Sequence, residues 1–459
     1  MFVAREKELR ILHEAFAGKG RSAVLVYGKR RVGKSALIAE AARDFDGIVV
    51  NHLCVQSTYE GNLQLLGRSV CLSMGLPVMQ FASVMDLFGF LNRQERRVLV
   101  ILDEYQYFKD SGKRHEVDSY MQTVIDTLSD HVKIVLCGSY IAVMRELMEE
   151  DNPLFGRFTS IIHLEEMDYL DASMFYPEVD HWKKIGFYAV FGGSPYVLSI
   201  IDPAVSIREN VCRFLLTETS LLRIYIENIM LREIQKAYDV RILEIIGNGK
   251  KRYSDIRSGL SGSDNGLLDK QLKNLLGMET ITKIVPINKP GDKKKQFYSI
   301  KDNLLRFYFS FIFANTSQIS RLGEDAFYEQ YIRPSVETFI SHRFEDIACQ
   351  FFARQVRTGR IKGVYDIGTY WFDDPANKRN GEFDCVLKKK DVYDFYECKY
   401  YRSPMTEGEC EREALQVRNI SGMNSGTIGF ICTGGFDFDS VQYQLIHGKE
   451  LFENGQEDA

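Results

Sequence analysis

The chain lacks the marks of a secreted, membrane-spanning or zinc-organised protein. Its nine cysteines (Cys54, Cys71, Cys137, Cys212, Cys349, Cys385, Cys398, Cys410 and Cys432) are odd in number and never form C-x-x-C. A fully paired disulfide framework is therefore excluded, and reduced thiols in a cytoplasmic protein are expected. Histidines such as His13, His52, His163, His342 and His447 are dispersed, without H-x-x-x-H spacing or cysteine partners, so no zinc centre is expected. Gly138, Ser139 and Tyr140 do not complete G-x-S-x-G, which leaves a serine-hydrolase elbow unsupported. Long apolar runs are absent too. LLRFYFSFIFAN, from Leu304, is far shorter than a membrane span and is interrupted by Arg306, so it reads as a buried aromatic helix and no membrane partner is expected. The opening MFVAREKELRIL carries charges where an export signal needs its apolar segment, and no such signal is expected. A net charge of -5 argues against bulk nucleic-acid packaging and leaves local basic patches open. No internal repeat or low-complexity tract is present.

At 459 residues the chain exceeds one hydrophobic core and should form two to four domains. The first part alternates short β-rich runs (SAVLVYG, GIVVNHL, RVLVILDEY, HVKIVLCGS) with amphipathic stretches, the pattern of an α/β parallel sheet covered on both faces. From about Met167 to Tyr238 helical periodicity takes over, broken by FGGSPYVL. Three helical patterns follow (RILEIIGNGK, YSDIRSGL, DNGLLDKQLKNLLGM), then two strands around a Gly-, Pro- and Lys-rich turn. That is a winged helix-turn-helix pattern. A long helix over SVETFISHRFEDIACQFFARQ, three strands, a helix around GECEREALQVRNI and a strand TIGFICTGG give the order αβββαβ.

Gly28 to Ser35 reads GKRRVGKS and fits G-x-x-x-x-G-K-S between a predicted strand and a predicted helix. The loop amides of Gly28, Lys29, Arg30, Arg31, Val32 and Gly33 and the helix N-terminus would face the phosphates of ATP, Lys34 would reach the β and γ groups, and Ser35 would ligate Mg²⁺. RVLVILDEY supplies the acidic partners: Asp103 as a metal ligand and Glu104 as the base that orients a water. Ser139 ends the next strand, where it either senses the γ-phosphate or serves as a turn serine. Arg157, in NPLFGRF, either neutralises charge on the transferring phosphoryl group, in the same subunit or a neighbour, or holds a structural salt bridge.

FVAREKEL, GKRRVGKS, LVILDEY, the GSY strand end, NPLFGR and FGGSPYVL together resemble the archaeal-type ATPase family, among the AAA-like and STAND-like P-loop ATPases. The likeness continues through Tyr298, Asp302 and the LLRFYFSFI run, which match that family's Y-x-x-x-D and aromatic helix, into a C-terminal domain of unknown function that accompanies such ATPases. It implies adenine contacts near Phe2 and Arg5. Related initiator-type ATPases carry an arginine after the paired glycines, whereas here Gly192 and Gly193 precede Ser194 and Pro195. The resulting division is 1–166 for the P-loop core, 167–238 for a helical lid, 239–320 for the winged helix and aromatic helix, and 321–459 for a nuclease-like domain.

Lys270 and Lys273 on the third helix, with Lys289, Lys293, Lys294 and Lys295 in the wing, could neutralise DNA phosphates or merely keep the turn solvated, and Asp264 and Asp269 dilute the helix charge. The αβββαβ order around EFDCVLKKKDVYDFYECKYY resembles the restriction-endonuclease-like fold of PD-(D/E)xK nucleases, with Phe383 where the proline of that name would stand. Asp384, Glu397 and Lys399 fit its pattern; Glu345 on the preceding helix could complete the acidic set, and Gln416 is a weaker addition. In that chemistry carboxylates of Asp384, Glu397 and Glu345 hold Mg²⁺ against the scissile phosphate while the lysine orients the nucleophile. The expected function is an ATP-binding and ATP-hydrolysing switch that engages DNA and carries a Mg²⁺-dependent nuclease-like domain. Alternatives are a regulatory ATPase with a protein partner, or a transcriptional regulator, either with a silent C-terminal domain. The oligomeric state is left open.

Overall fold

The computed structural model describes residues 2–111, 115–231, 239–260, 265–374, 379–420 and 423–453. The chain divides into two compact units, one of Met1–Glu166 with Ser194–Tyr196 and one of Met167–Gly193 with Val197–Ala459. Parts of two segments discussed above, 232–238 of the helical stretch and Asp264, fall outside the described residues.

In the first unit five strands, β1 (Ser22–Tyr27), β2 (Ile48–Leu53), β3 (Val98–Asp103), β4 (Val132–Gly138) and β5 (Ser160–His163), form one parallel sheet in the order β2-β3-β4-β1-β5. Strands β1 and β4 are buried along their whole length, as continuous apolar runs must be when both faces are covered. Successive side chains separate into two cores. Ala23 and Leu25 pack with Val98, Val100, Leu102 and Phe88 on one face. Val24 and Val26 pack with Leu99, Ile101, Leu37, Ile38, Leu12 and Phe16 on the other. The strand-helix alternation read from sequence is the observed one; β5, only four residues long, went unforeseen. Because β4 lies between β1 and β3, the carboxyl ends of all three share one sheet edge, where ligands of parallel α/β sheets bind.

The second unit opens with helices including His181–Phe191. Helices Arg241–Gly247, Tyr253–Gly259 and Asn265–Gly277 precede an antiparallel hairpin of β6 (Ile281–Ile284) and β7 (Phe297–Ile300). Asp302 caps the next helix by accepting from the Leu305 amide at 2.8 Å, a cap worth about 1 kcal/mol. That aromatic stretch is buried through Leu304, Phe307, Tyr308, Phe309 and Ile312. Its interrupting Arg306 donates to the Ile300 carbonyl and pairs with Asp346 at 3.3 Å, so the charge is accommodated without leaving the interior. Among the described residues no helix is long and apolar enough to cross a membrane.

Helix Arg333–Arg357 leads into a sheet of order β12-β11-β10-β9-β8, built from β8 (Asp366–Asp374), β9 (Arg379–Lys388), β10 (Tyr393–Lys399), β11 (Ser425–Cys432) and β12 (Gln444–His447). β8, β9 and β10 run antiparallel in sequence; β10, β11 and β12 are parallel. Helix Glu407–Arg418, started by a Thr406/Glu409 capping box, makes the crossover from β10 to β11. The αβββαβ element order is thus observed, with β12 added beyond it.

Candidate functional site

The loop after β1 takes its shape from two glycines. A side chain at Gly28 would place its Cβ 2.1 Å from the Leu164 carbonyl oxygen, and Gly33 caps the following helix at φ 96°. Arg31 is left-handed as well, at φ 65°, a conformation from which backbone N–H concavities for anions are built. Val32 is buried and anchors the loop to the core. The Lys34 side chain folds back over the loop, its ammonium donating to the carbonyls of Gly28 (2.9 Å) and Lys29 (2.7 Å). Burial lowers the Lys34 pKa, against the pull of nearby Glu104 and Asp103. Arg30 donates to the Tyr107 hydroxyl at 3.1 Å, and Arg31 stacks its guanidinium over Tyr196 at 3.6 Å while its carbonyl accepts from the Ser194 hydroxyl. Ser194 therefore occupies the position after the paired glycines with a backbone contact to the phosphate loop.

Across β4, the Ser35 hydroxyl donates to Asp103 Oδ2 at 2.6 Å. These hard oxygen donors, one at the helix start and one at the end of β3, suit the all-oxygen preference of Mg²⁺. Glu104, next to Asp103, is held at φ 53°, and its carboxylate accepts from Ser139 Oγ at 2.7 Å and from the Gln106 side-chain amide. Gln106 is fully buried and was absent from the sequence reading; its position two residues past Glu104 was the available signal. Its Nε2 also faces Ser139 Oγ at 3.4 Å, and its Oε1 accepts no hydrogen bond.

Arg157 requires a correction. It pairs with Asp126 at 3.2 Å and donates to the Phe155 carbonyl. Asp126 also pairs with Arg21, just before β1, and the Thr159 amide donates to Ala23 at the start of that strand. Arg157 therefore sits at the amino end of β1, while the phosphate loop leaves its carboxyl end, about 20 Å away for a strand of this length. A contact from Arg157 to phosphate within the same subunit is excluded, and the salt-bridge alternative describes its environment. Near the N-terminus, Arg5 donates to the Glu165 carbonyl at 2.5 Å, and Phe2 packs against the core containing Leu12 and Phe16.

In the second unit the antiparallel pairing of β9 and β10 runs as far as Tyr396 and Cys385, and Glu397 and Asp384 are the next residues on the two strands. Glu397 and Lys399 lie two apart on β10, and the lysine pairs with Glu397 at 2.7 Å and with Glu413, on helix Glu407–Arg418, at 3.2 Å. Gln416 donates to Glu413 at 2.6 Å, one step removed from the lysine. Glu345, on the long helix, lies near enough to raise the pKa of Asp384, which burial first and Glu345 second push up to about 7. Burial likewise raises the Glu397 carboxyl. Burial tends to lower the Lys399 pKa, but Glu397 and Glu413 outweigh it and hold the ammonium protonated. The structure thus gathers Glu345, Asp384, Glu397 and Lys399, and adds three residues the sequence did not suggest: Glu413, Glu382 and Lys250. Lys250 contacts Glu382 and lies 3.6 Å from Asp384.

Residues 2–201 match the family model described as an ATPase domain predominantly from Archaea. This segment is an archaeal-type ATPase domain. Residues 308–412 match a model described as archaeal and bacterial proteins of unknown function. An uncharacterized protein of Methanocaldococcus jannaschii is 26% identical over 376 residues, 81% of this chain and 82% of its own. Among solved structures, the Walker-type ATPase of Pyrococcus abyssi is similar with a TM-score of 0.47 and 20% identity, over 67% of this chain and 96% of that one. The ORC2 protein of Aeropyrum pernix, in ADPNP and ADP complexes, is similar with a TM-score of 0.46 and 13% identity, over 69% and 95%. At those scores the assignment of the ATPase domain rests on the family match. The loop from Gly28 to Ser35 and the acidic end of β3 both fall inside the matched segment.

Proposed function

We propose that ATP binding and hydrolysis in the ATPase domain form a switch, and that its state governs a C-terminal domain acting on DNA. The observation that carries the first half is the 2.6 Å pairing of Ser35 with Asp103 beside the Lys34 ammonium. When bound by Ser35 and Asp103, Mg²⁺ would offset the charge on the β and γ phosphates. Lys34 and the amides of the loop hold those phosphates. Glu104 orients the attacking water and takes its proton, and Ser139 registers the γ-phosphate through its hydrogen bond to Glu104. Arg157 could act only on a neighbouring subunit's nucleotide.

In the C-terminal sheet, the carboxylates of Glu345, Asp384 and Glu397 fit a hard divalent cation, and Lys399 would orient water for attack on a phosphodiester. Exposed Lys270 and Lys273 support DNA contact by the third helix of the winged-helix-like module. A second reading is favoured by one observation: the wing lysines Lys289 and Lys295 pair with Asp373 of β8 at 2.7 and 3.2 Å. On that reading the module is a docking or lever element for a protein partner, and the C-terminal sheet is a scaffold.

Incubation of the full chain with Mg²⁺ or Mn²⁺ and several DNA forms, with and without ATP, separates them. Nicking that is lost in Lys399→Ala while ATP binding persists supports the nuclease reading. ATP hydrolysis without cleavage of any form supports the partner reading, and a sequence-specific footprint without nicking supports a transcriptional regulator.

A further inference from the structure

Lys250 reaches the acidic centre from outside the sheet that builds it. It follows helix Arg241–Gly247 through a turn that needs Gly249 at φ 108°. Its neighbour Lys251 exchanges two backbone hydrogen bonds with Tyr298 of β7, at 3.0 and 2.8 Å, which fixes the backbone at this point. The Lys250 side chain then passes the Phe297 ring, with Nζ 5.6 Å from its centroid, contacts Glu382 and stands 3.6 Å from Asp384.

The groups around it are strongly unbalanced. β9 contributes Glu382 and Asp384, β10 Glu397 and Lys399, the long helix Glu345 and His342, and helix Glu407–Arg418 contributes Glu413. Lys399 is already engaged by Glu397 and Glu413. Among the described residues Lys250 is the cation within salt-bridge distance of Glu382 and Asp384, and even so Glu382 Oε2 remains buried without a hydrogen-bond partner. The same module is fastened to the sheet a second time: Ile287 donates to the Thr369 carbonyl at 2.8 Å, Asn288 exchanges two hydrogen bonds with the Trp371 backbone, and Lys289 and Lys295 pair with Asp373.

We propose that Lys250 is a tethered cation that fills the acidic centre, so that a divalent ion binds there only when the ammonium withdraws. The inference deepens the reading above, since it rests on the carboxylates around Asp384 being a divalent-ion site. The physical reason is charge. An ammonium and a divalent ion beside the same partly buried carboxylates repel each other, so each stabilises the protein with the other absent. Because the ammonium and the wing belong to one module, release of the module would uncover the centre and free Lys289 and Lys295 together.

The test uses the full chain without nucleotide in a Ser35→Ala background, which removes Mn²⁺ binding at the phosphate loop. Mn²⁺ affinity is measured by calorimetry. Lys250→Met should bind Mn²⁺ about tenfold or more tighter than its parent, Lys250→Arg should resemble the parent, and Asp384→Asn should abolish the gain. Acetylation of Lys250 in the chain with that lysine intact, followed by mass spectrometry, provides a readout independent of how well Lys250→Met folds. It should be slow without metal and accelerate as Mn²⁺ saturates, and the acceleration should vanish with Asp384→Asn. Equal affinity in Lys250→Met and parent, both lost with Asp384→Asn, would overturn the tethered cation and leave the metal site standing. Absence of Asp384-dependent Mn²⁺ binding in every variant would overturn both. An acetylation rate indifferent to Mn²⁺ in a chain that binds the ion through Asp384 would overturn the tethered cation alone.

Discussion

The Ser139 hydroxyl, at the end of β4, donates to Glu104 Oε2 at 2.7 Å, and the buried Gln106 amide reaches the same carboxylate. Two neutral donors from different elements thus hold the acid that follows Asp103. Removing the carboxylate charge should spare nucleotide affinity and damage turnover. Glu104→Gln is expected to lower kcat by about 10²–10⁴ with ATP affinity nearly unchanged, read by steady-state phosphate release and by calorimetry. Gln106→Leu should lower kcat less and leave KM unchanged. A matched rise in KM would show that the amide serves binding instead of orientation.

Lys34 donates to two loop carbonyls, at 2.9 and 2.7 Å, in positions that phosphate oxygens would compete for. A hydrogen bond to a charged group contributes about 1.5–3 kcal/mol, so Lys34→Ala should weaken ATP binding by about one to two orders of magnitude. Titration calorimetry with Mg²⁺ present measures this directly, and an unchanged affinity would remove Lys34 from the phosphate site.

Arg157, tied to Asp126 at the amino end of β1, should not affect turnover in an isolated subunit. ATPase rates of Arg157→Ala and the parent should coincide at low protein concentration. If the arginine serves a neighbour, the parent alone gains activity as concentration rises. A loss independent of concentration would contradict the placement of Arg157.

His52 on β2 is buried, with Nδ1 3.0 Å from Ser69 Oγ and Nε2 without a partner. Burial lowers its pKa to about 4 from the ordinary 6.5, so the folded protein holds it neutral where the unfolded chain binds a proton. The associated stability is fully present above pH ~6.5 and is lost as pH falls through about 4, a change of about 3 kcal/mol. Thermal unfolding across that window should show a falling Tm, with a shallower slope in His52→Gln. An identical slope in both would assign the acid sensitivity to other groups.

A methyl group at Gly28 would meet the Leu164 carbonyl oxygen at 2.1 Å, a backbone atom with no room to rotate away. Gly28→Ala should destabilise the ATPase domain by about 3 kcal/mol and loosen the phosphate loop. Denaturant unfolding measures the first effect and ATP titration the second.

The ATPase domain was legible because its signals are local. Gly28, Gly33, Lys34 and Ser35 lie within eight residues, and the strand and helix around them carry their periods in the sequence. Asp103 could be paired with Ser35 because an acidic residue ending a fully apolar strand is conspicuous. Gln106 went unread although it lies only two residues past Glu104: DEYQ carries no motif, and that the glutamine shares the Glu104 carboxylate with Ser139 is visible only once β4 is in place. The same holds for Arg157, whose loop left a phosphoryl contact and a structural salt bridge both open until the strand direction put it at the amino end of β1.

The sequence by itself determined the alternation of strand and helix, the phosphate loop, the three helices with their hairpin, and the placing of Asp384, Glu397 and Lys399 on adjacent strands. Hydrophobic period and backbone conformational preference act over a few residues and leave their trace in the order of amino acids. Only the tertiary structure decided that β4 separates β1 from β3, that Glu413 shares Lys399 with Glu397, and that Lys250 enters the acidic centre from a residue more than a hundred positions away. Those outcomes follow from which surfaces pack against each other, and electrostatic pairing across such contacts depends on distance in space, which the chain order does not encode.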